Sequence, residues 1–275
     1  MTFPYIPYLI LTGLMGIHSI TTVEKLSVKS GDSVSIPCLY DSTYINHVKS
    51  VCKGYFWRFC TFAVKTNQTD NSGKFSISDD TNQRVFTVTI NDLTDDDKHY
   101  WCAVVTEKKL LVRQYFQLSV TTDEPEMSVE QQEIAAFEGG SVTVLCRYKY
   151  PKVMEWCGLG STCVKDQTGS MDGATVTFNA SVPNVFNVTM SELRTKNSGW
   201  YWCTNSDFQM PVHITVHEST STTTTTMSLN TANFTGTHST TTQNSPLPTS
   251  TTRAGGESVQ VEHQRSALFT LLYFI

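Results

Sequence analysis

Long apolar runs are missing from this chain of 275 residues. The apolar stretches at residues 9–17 and 267–275 each cover less than half a bilayer span. Cys-x-x-Cys knuckles are also absent, which removes structural zinc. Basic residues are not in excess: 20 Lys and Arg stand against 25 Asp and Glu, for a net charge of −5. No basic face stands out, so nucleic acid is excluded as a partner. The body of the chain shows no helical period. No serine, histidine and acid are spaced to form a triad, so no enzyme activity and no cofactor are expected. His213 and His217 are four apart, but in a strand that spacing spans ~13 Å, too far for one ion. The Asp95-Asp96-Asp97 run sits where acidic turn residues are ordinary, and no metal is expected there.

What the chain does have is eight cysteines in two sets of four. One set is Cys38, Cys52, Cys60 and Cys102; the other is Cys146, Cys157, Cys163 and Cys203. In each set the outer pair brackets about 60 residues and the inner pair lies nearer its first member. The frames align beyond their cysteines. Gly31–Cys38 matches Gly139–Cys146, Phe86-Thr87-Val88-Thr89-Ile90 matches Phe186-Asn187-Val188-Thr189-Met190, and Tyr100-Trp101-Cys102 matches Tyr201-Trp202-Cys203. An even cysteine count in repeated frames points to an oxidising compartment and a tandem extracellular module.

Within each repeat, short segments such as Ser33-Val34-Ser35-Ile36 alternate with period two, as half-buried strands do. Tyr100 and Tyr201 each stand two residues before a framing cysteine, the tyrosine-corner position of an immunoglobulin sandwich. The predicted fold is all-β: two tandem V-type immunoglobulin sandwiches followed by a disordered Ser/Thr-rich stalk. The expected divisions are a signal peptide at 1–20, sandwiches at 22–122 and 127–217, a stalk at 218–265 and an apolar tail at 266–275. The signal peptide lacks Lys or Arg ahead of its apolar run, and cleavage is expected near Ser19 or Ile20. The stalk includes the run Thr222 to Thr226 and cannot bury a core, as expected of an O-glycosylated spacer. Sequons lie at Asn67, Asn179, Asn187 and Asn233. Asn187 alternates with Phe186 and Val188, so it should face away from the core. Lys74 is expected to pair with Asp96; the second repeat has Asn197 there and no basic partner, so no charge is stranded.

Before the tail lie Ala254-Gly255-Gly256 and a polar spacer, the layout of a glycolipid-anchor signal. A transmembrane segment cut short and plain secretion are the other readings. Localisation is accordingly the extracellular face of the plasma membrane, or secretion. No cytoplasmic motif is seen, so signalling would need an adaptor or co-receptor.

Trp156-Cys157 followed by Cys163, inside the Cys146 to Cys203 frame, carries a resemblance to a known family. A strand-C tryptophan followed at once by a cysteine is similar to the polymeric immunoglobulin receptor-like family and the CMRF-type leukocyte receptors. The match runs over about residues 22–217 and resembles most the fish branch, with tandem domains on a Thr-rich stalk. The resemblance implies the bridges Cys38–Cys102, Cys52–Cys60, Cys146–Cys203 and Cys157–Cys163, the inner ones stapling a C–C′ hairpin. One departure stands out: Val51 precedes Cys52 where the family has tryptophan. Trp57 is the rival for that core position, but it lies 19 residues after Cys38, against 10 in the second repeat.

The resemblance further implies a cell-surface immune-recognition receptor whose immunoglobulin loops bind lipid or protein ligands. A transport receptor or soluble carrier for polymeric immunoglobulin is the alternative, and a purely adhesive ectodomain a third. The loops at 41–49 and 106–111 carry Tyr44, Ile45, His47, Lys49, Lys108, Lys109, Leu110 and Leu111. Their mix of cations and apolar bulk suits an anionic phospholipid, and the same region would serve an immunoglobulin ligand. Leu110 and Leu111 alternatively begin strand G and pack inward.

Overall fold

The computed structural model describes residues 19–219 except 69, 107–109 and 151. The first repeat forms β1 (Ile20–Thr22), β2 (Lys25–Lys29), β3 (Val34–Tyr40), β4 (Val48–Lys53), β5 (Thr61–Lys65), β6 (Phe75–Asp80), β7 (Val85–Ile90), β8 (His99–Val105) and β9 (Leu110–Thr121). The second forms β10 (Met127–Val129), β11 (Glu133–Phe137), β12 (Ser141–Tyr148), β13 (Glu155–Gly158), β14 (Cys163–Val164), β15 (Thr168–Met171), β16 (Ala174–Asn179), β17 (Val185–Ser191), β18 (Gly199–Thr204) and β19 (Gln209–His217). The described residues contain no helix long and apolar enough to cross a membrane.

Each repeat folds as two facing sheets. In the first, β1-β3-β7-β6 faces β2-β9-β8-β4-β5; in the second, β10-β12-β17-β16-β15 faces β11-β19-β18-β13-β14. β2 runs parallel to β9, and β11 parallel to β19. That parallel edge marks a V-type sandwich, in which the first strand crosses from one sheet to the other. The alternating segments deliver the core. Val34, Ile36 and Cys38 of β3 and Phe86, Val88 and Ile90 of β7 are buried, as are Val142, Val144 and Cys146 of β12 and Phe186, Val188 and Met190 of β17. Such burial is the dominant favourable term in folding.

Cys38 bonds Cys102 and Cys146 bonds Cys203, each pair with Cα atoms 6.3 Å apart, between facing sheets. Cys52 bonds Cys60 and Cys157 bonds Cys163, each closing a hairpin.

Strand register assigns the tryptophan position. Val51 lies opposite Cys102 on β4–β8, as Trp156 lies opposite Cys203 on β13–β18. Val51 therefore holds the core site, and Trp57 lies in a short 3-10 turn, Trp57–Phe59, between Cys52 and Cys60. A ring against the first domain's tyrosine comes instead from the strand on the other side of β8. Trp156 stacks on Tyr201 at 5.4 Å and 5°. In the first domain Phe116 stacks on Tyr100 at 5.5 Å and 14°. Phe116 is the register partner of Tyr100, and the partner of Tyr201 is Val212. Each tyrosine thus has one aromatic ring stacked on it, supplied by strand C in the second domain and strand G in the first, where Phe75 also meets Tyr100 edge-on at 6.3 Å.

The corner before each tyrosine corrects the expected Lys74–Asp96 pair. Asp96 is exposed. Lys74 Nζ instead reaches Asp97 Oδ2 at 2.7 Å, and Lys53 Nζ reaches Asp97 Oδ1 at 2.8 Å. Asp97 Oδ2 also accepts the Thr94 N–H at 2.9 Å, as Asn197 Oδ1 accepts the Arg194 N–H at 2.8 Å. Asp97 and Asn197 are therefore equivalent. The spacing to the tyrosine differs because the second repeat carries one more residue there, with Gly199 at φ +153°. The Tyr201 hydroxyl donates to the Asn197 carbonyl at 2.8 Å, whereas that of Tyr100 donates to the Asp97 carboxylate at 2.6 Å. Burial pushes the Tyr201 phenol up to about 12.

The two sandwiches touch. The Gln132 side chain accepts the Ser35 N–H at 2.9 Å and donates to the Ser35 carbonyl at 3.0 Å and the Pro211 carbonyl at 2.9 Å. Lys25 Nζ lies 4.5 Å from the Phe208 ring. The second domain's stapled hairpin meets the first domain: a Cβ on Gly160 would stand 2.5 Å from Leu39 Cδ2.

Candidate functional site

The loop end carries less free chemistry than its sequence promised. Tyr44 ends the 3-10 turn Ser42–Tyr44 and is half-buried against the core, its ring edge-on to His47 at 6.0 Å. His47 is half-buried. Leu110 is half-buried and opens β9 opposite Val105. Lys108, Lys109 and Asn233 lie outside the described residues, and Leu111 is placed only as part of β9. Asn67 and Asn179 are exposed. Asn187 is half-buried on the side of β17 opposite Phe186 and Val188, and faces Asn179 across the strand pair.

Lys49 must be withdrawn as a ligand contact, because it is wholly buried. Strand parity explains this: Val51 points into the core, so Lys49, two residues earlier, does too. Its Nζ pairs with Asp79 Oδ2 at 2.8 Å, donates to the Ile45 carbonyl at 2.7 Å and lies 4.2 Å from the Tyr40 ring. Burial, then the hydrogen bond to Asp79, pushes the Tyr40 phenol up. Lys49→Met is expected to destabilise the first domain by about 2 kcal/mol, because Asp79 loses its cation. Ligand affinity of the folded protein should stay at the wild-type level. Paired denaturation and binding curves check this; lost affinity with intact stability would return Lys49 to the site.

A stronger feature lies beside the loops, on the outer face of β5-β4-β8-β9. Between Cys52 and Cys60 runs Tyr55-Phe56-Trp57-Arg58-Phe59. Tyr55, Phe56, Phe59 and Phe62 are 58%, 64%, 79% and 41% exposed. Their positions are fixed by the fold. The Cys52–Cys60 bridge closes the hairpin, and Gly54 at φ +147° lies where a Cβ would come 3.0 Å from Cys60 Cα. Trp101 Nε1 donates to the Gly54 carbonyl at 2.9 Å. The rings meet edge to face: Trp57 with Trp101 at 6.1 Å, Trp101 with Tyr115 at 5.0 Å and Tyr55 with His99 at 5.0 Å. Such contacts hold aromatic side chains in place without burying them. The Arg113 guanidinium lies 5.3 Å from Trp57 and 5.5 Å from Trp101, and Lys65 Nζ lies 4.4 Å from Phe62. Burial, then Tyr55, pushes the Tyr115 phenol up.

Sequence reasoning treated Trp57 only as a rival for the core and passed over this hairpin. The signal was present: four aromatics in five residues of a short stapled hairpin cannot all turn inward. The second domain's hairpin holds Gly158-Leu159-Gly160-Ser161-Thr162 and no ring.

Among the described residues, one grouping has ligand spacing for a metal: Glu155 with Cys157 and Cys163. Both sulfurs are committed to a disulfide. His213 instead meets Glu133 at 2.8 Å.

Two V-type sandwiches, each with a bridge across the fold and a second closing a hairpin, define a tandem immunoglobulin-domain protein. Residues 21–121 match the immunoglobulin V-set domain. The chain is homologous to the CMRF35-like molecules and the polymeric immunoglobulin receptor, a group of immunoglobulin-domain receptors. It is 31% identical over 131 residues to mouse CMRF35-like molecule 3, covering 46% of this chain and 52% of the relative. It is 26% identical over 189 residues to the mouse polymeric immunoglobulin receptor, covering 63% of this chain and 24% of the relative. The chain thus spans about half the length of one and a quarter of the other. Among solved structures, a teleost fish polymeric immunoglobulin receptor ectodomain is 30% identical, covering 72% of this chain and 98% of its own, with a TM-score of 0.33.

Proposed function

We propose that the chain is the extracellular recognition part of an immune receptor and binds a protein ligand through its first domain. The observation that carries this reading is the exposed aromatic and cationic face around the Cys52–Cys60 hairpin. Tyrosine, tryptophan and arginine dominate the binding energy of protein interfaces, and here they are gathered on one rigid sheet. The relatives' names point to polymeric immunoglobulin as the first ligand to try. Residues 1–20 would direct export, and residues 218–265 would hold the domains off a membrane or link them to it.

The full chain, expressed on cells, is offered polymeric immunoglobulin M and phosphatidylserine vesicles side by side. Saturable immunoglobulin binding is the expected result. Binding of vesicles alone would move the ligand to the lipid class, and binding of neither would overturn the reading.

A further inference from the structure

The charge on the aromatic face is one-sided in a chain that is acidic overall. Residues 48–65, 99–105 and 110–118 build the face and include Lys49, Lys53, Arg58, Lys65 and Arg113, with no aspartate or glutamate. Lys49 and Lys53 are neutralised by Asp79 and Asp97. That leaves Arg58, Lys65 and Arg113 as the charge set among the rings.

From this we infer that the outer face of β5-β4-β8-β9 docks a folded protein through an acidic surface patch with apolar residues at its centre. This rests on the receptor reading only for the identity of the ligand. The four most exposed rings offer on the order of 500 Å² of apolar surface, from ~200 Å² per ring. A standard interface takes about 800 Å² from each partner, so these rings supply more than half. A second copy of the same face is disfavoured, because it would set three cations against three. A membrane is disfavoured because Trp57, the ring best suited to a bilayer interface, is covered by Arg113 and flanked edge-on by Trp101 and Phe62. The chain already uses the equivalent element as a protein contact, since the second domain's stapled hairpin meets Leu39.

The test needs no knowledge of the natural ligand. A phage library of random peptides, linear and disulfide-closed, is selected against the full chain. The selected peptides are expected to combine acidic with apolar residues and to weaken as salt rises. Phe59→Ser should reduce their affinity about tenfold and Arg113→Glu about thirtyfold. Phe59 is exposed, so its substitution leaves the fold intact. Val182→Ser, on the second domain, should change nothing. Neutral or basic peptides, or acidic peptides indifferent to both substitutions, would overturn the inference. A dimer made monomeric by Phe59→Ser would assign the face to a second copy. Loss of phosphatidylserine-vesicle binding on both substitutions would assign it to a membrane. Either result also overturns the inference. The two proposals fail separately. No binding of polymeric immunoglobulin M, with acidic peptides still mapping to the face, removes only the proposed receptor function. Immunoglobulin bound equally by wild type and Phe59→Ser removes only this one.

Discussion

Trp156→Val is expected to cost the second domain about 3–4 kcal/mol, and adding Val212→Phe to the same chain should return part of it, by giving Tyr201 a ring again. Trp156 is wholly buried and stacked on Tyr201, so truncation leaves a cavity and removes a ring contact. Val212→Phe alone should also destabilise, by ~1–3 kcal/mol, because it adds a ring to a filled site. The pair should not add. Val212 is the register partner of Tyr201, and in the first domain, where Val51 holds the strand-C site, Phe116 at that register stacks on Tyr100. The double variant copies that arrangement, and neighbouring sites of this kind couple by ~0.5–3 kcal/mol. Two domains need not unfold in one step, so hydrogen exchange of the β18 amides is the measurement that isolates the second. Strictly additive losses would show that the two cores are not alternative solutions to one packing problem.

The exchange between Val51 and Phe116 also shows what the sequence could and could not reveal. The paired frames, the alternating segments and the tyrosines before Cys102 and Cys203 are local patterns. Each made its strand and sandwich legible. Val51 was legible as the departure, but the ring that Tyr100 stacks on instead was not, because Phe116 lies 65 residues away on a strand that only the sheet order brings beside β8. Lys49 failed for a different reason. A lysine in a loop-like stretch reads as a surface charge until strand parity with Val51 turns it inward. The Asp96 reading failed by one residue, because the two corners were aligned on the tyrosines while an extra residue lay between. The aromatic hairpin was written in the sequence, yet attention to core positions concealed it. Its one-sided charge became meaningful only when β4, β5, β8 and β9 were seen to share a face.

Asp97→Ala should be the most damaging polar substitution in the first domain, at about 4 kcal/mol. The carboxylate is 1% exposed and accepts from Lys53, Lys74, the Tyr100 hydroxyl and the Thr94 N–H. Alanine leaves a buried phenol and a backbone N–H without their acceptor, and two lysines without their counter-ion. Asp97→Asn should cost only about half as much, because a neutral Asn197 amide caps the equivalent corner of the second domain. Acid sensitivity separates the contributions. Burial by itself would raise the Asp97 carboxyl; the hydrogen bonds from Lys53, Lys74, Tyr100 and Thr94 outweigh it and hold the group far below the usual carboxylate range. A carboxyl depressed on folding adds stability above its unfolded value, ~3.9, and loses it as pH falls toward the folded one. The wild-type first domain should therefore weaken below about pH 4. Asp97→Asn should weaken less steeply, so that the gap between the two narrows with acidity. Denaturation of full chains at pH 7 and at successively lower pH, read by exchange at β8 and β18, measures both domains at once. A gap that stays constant to the lowest pH would mean that the Asp97 charge contributes nothing and that its hydrogen-bonding geometry alone holds the corner.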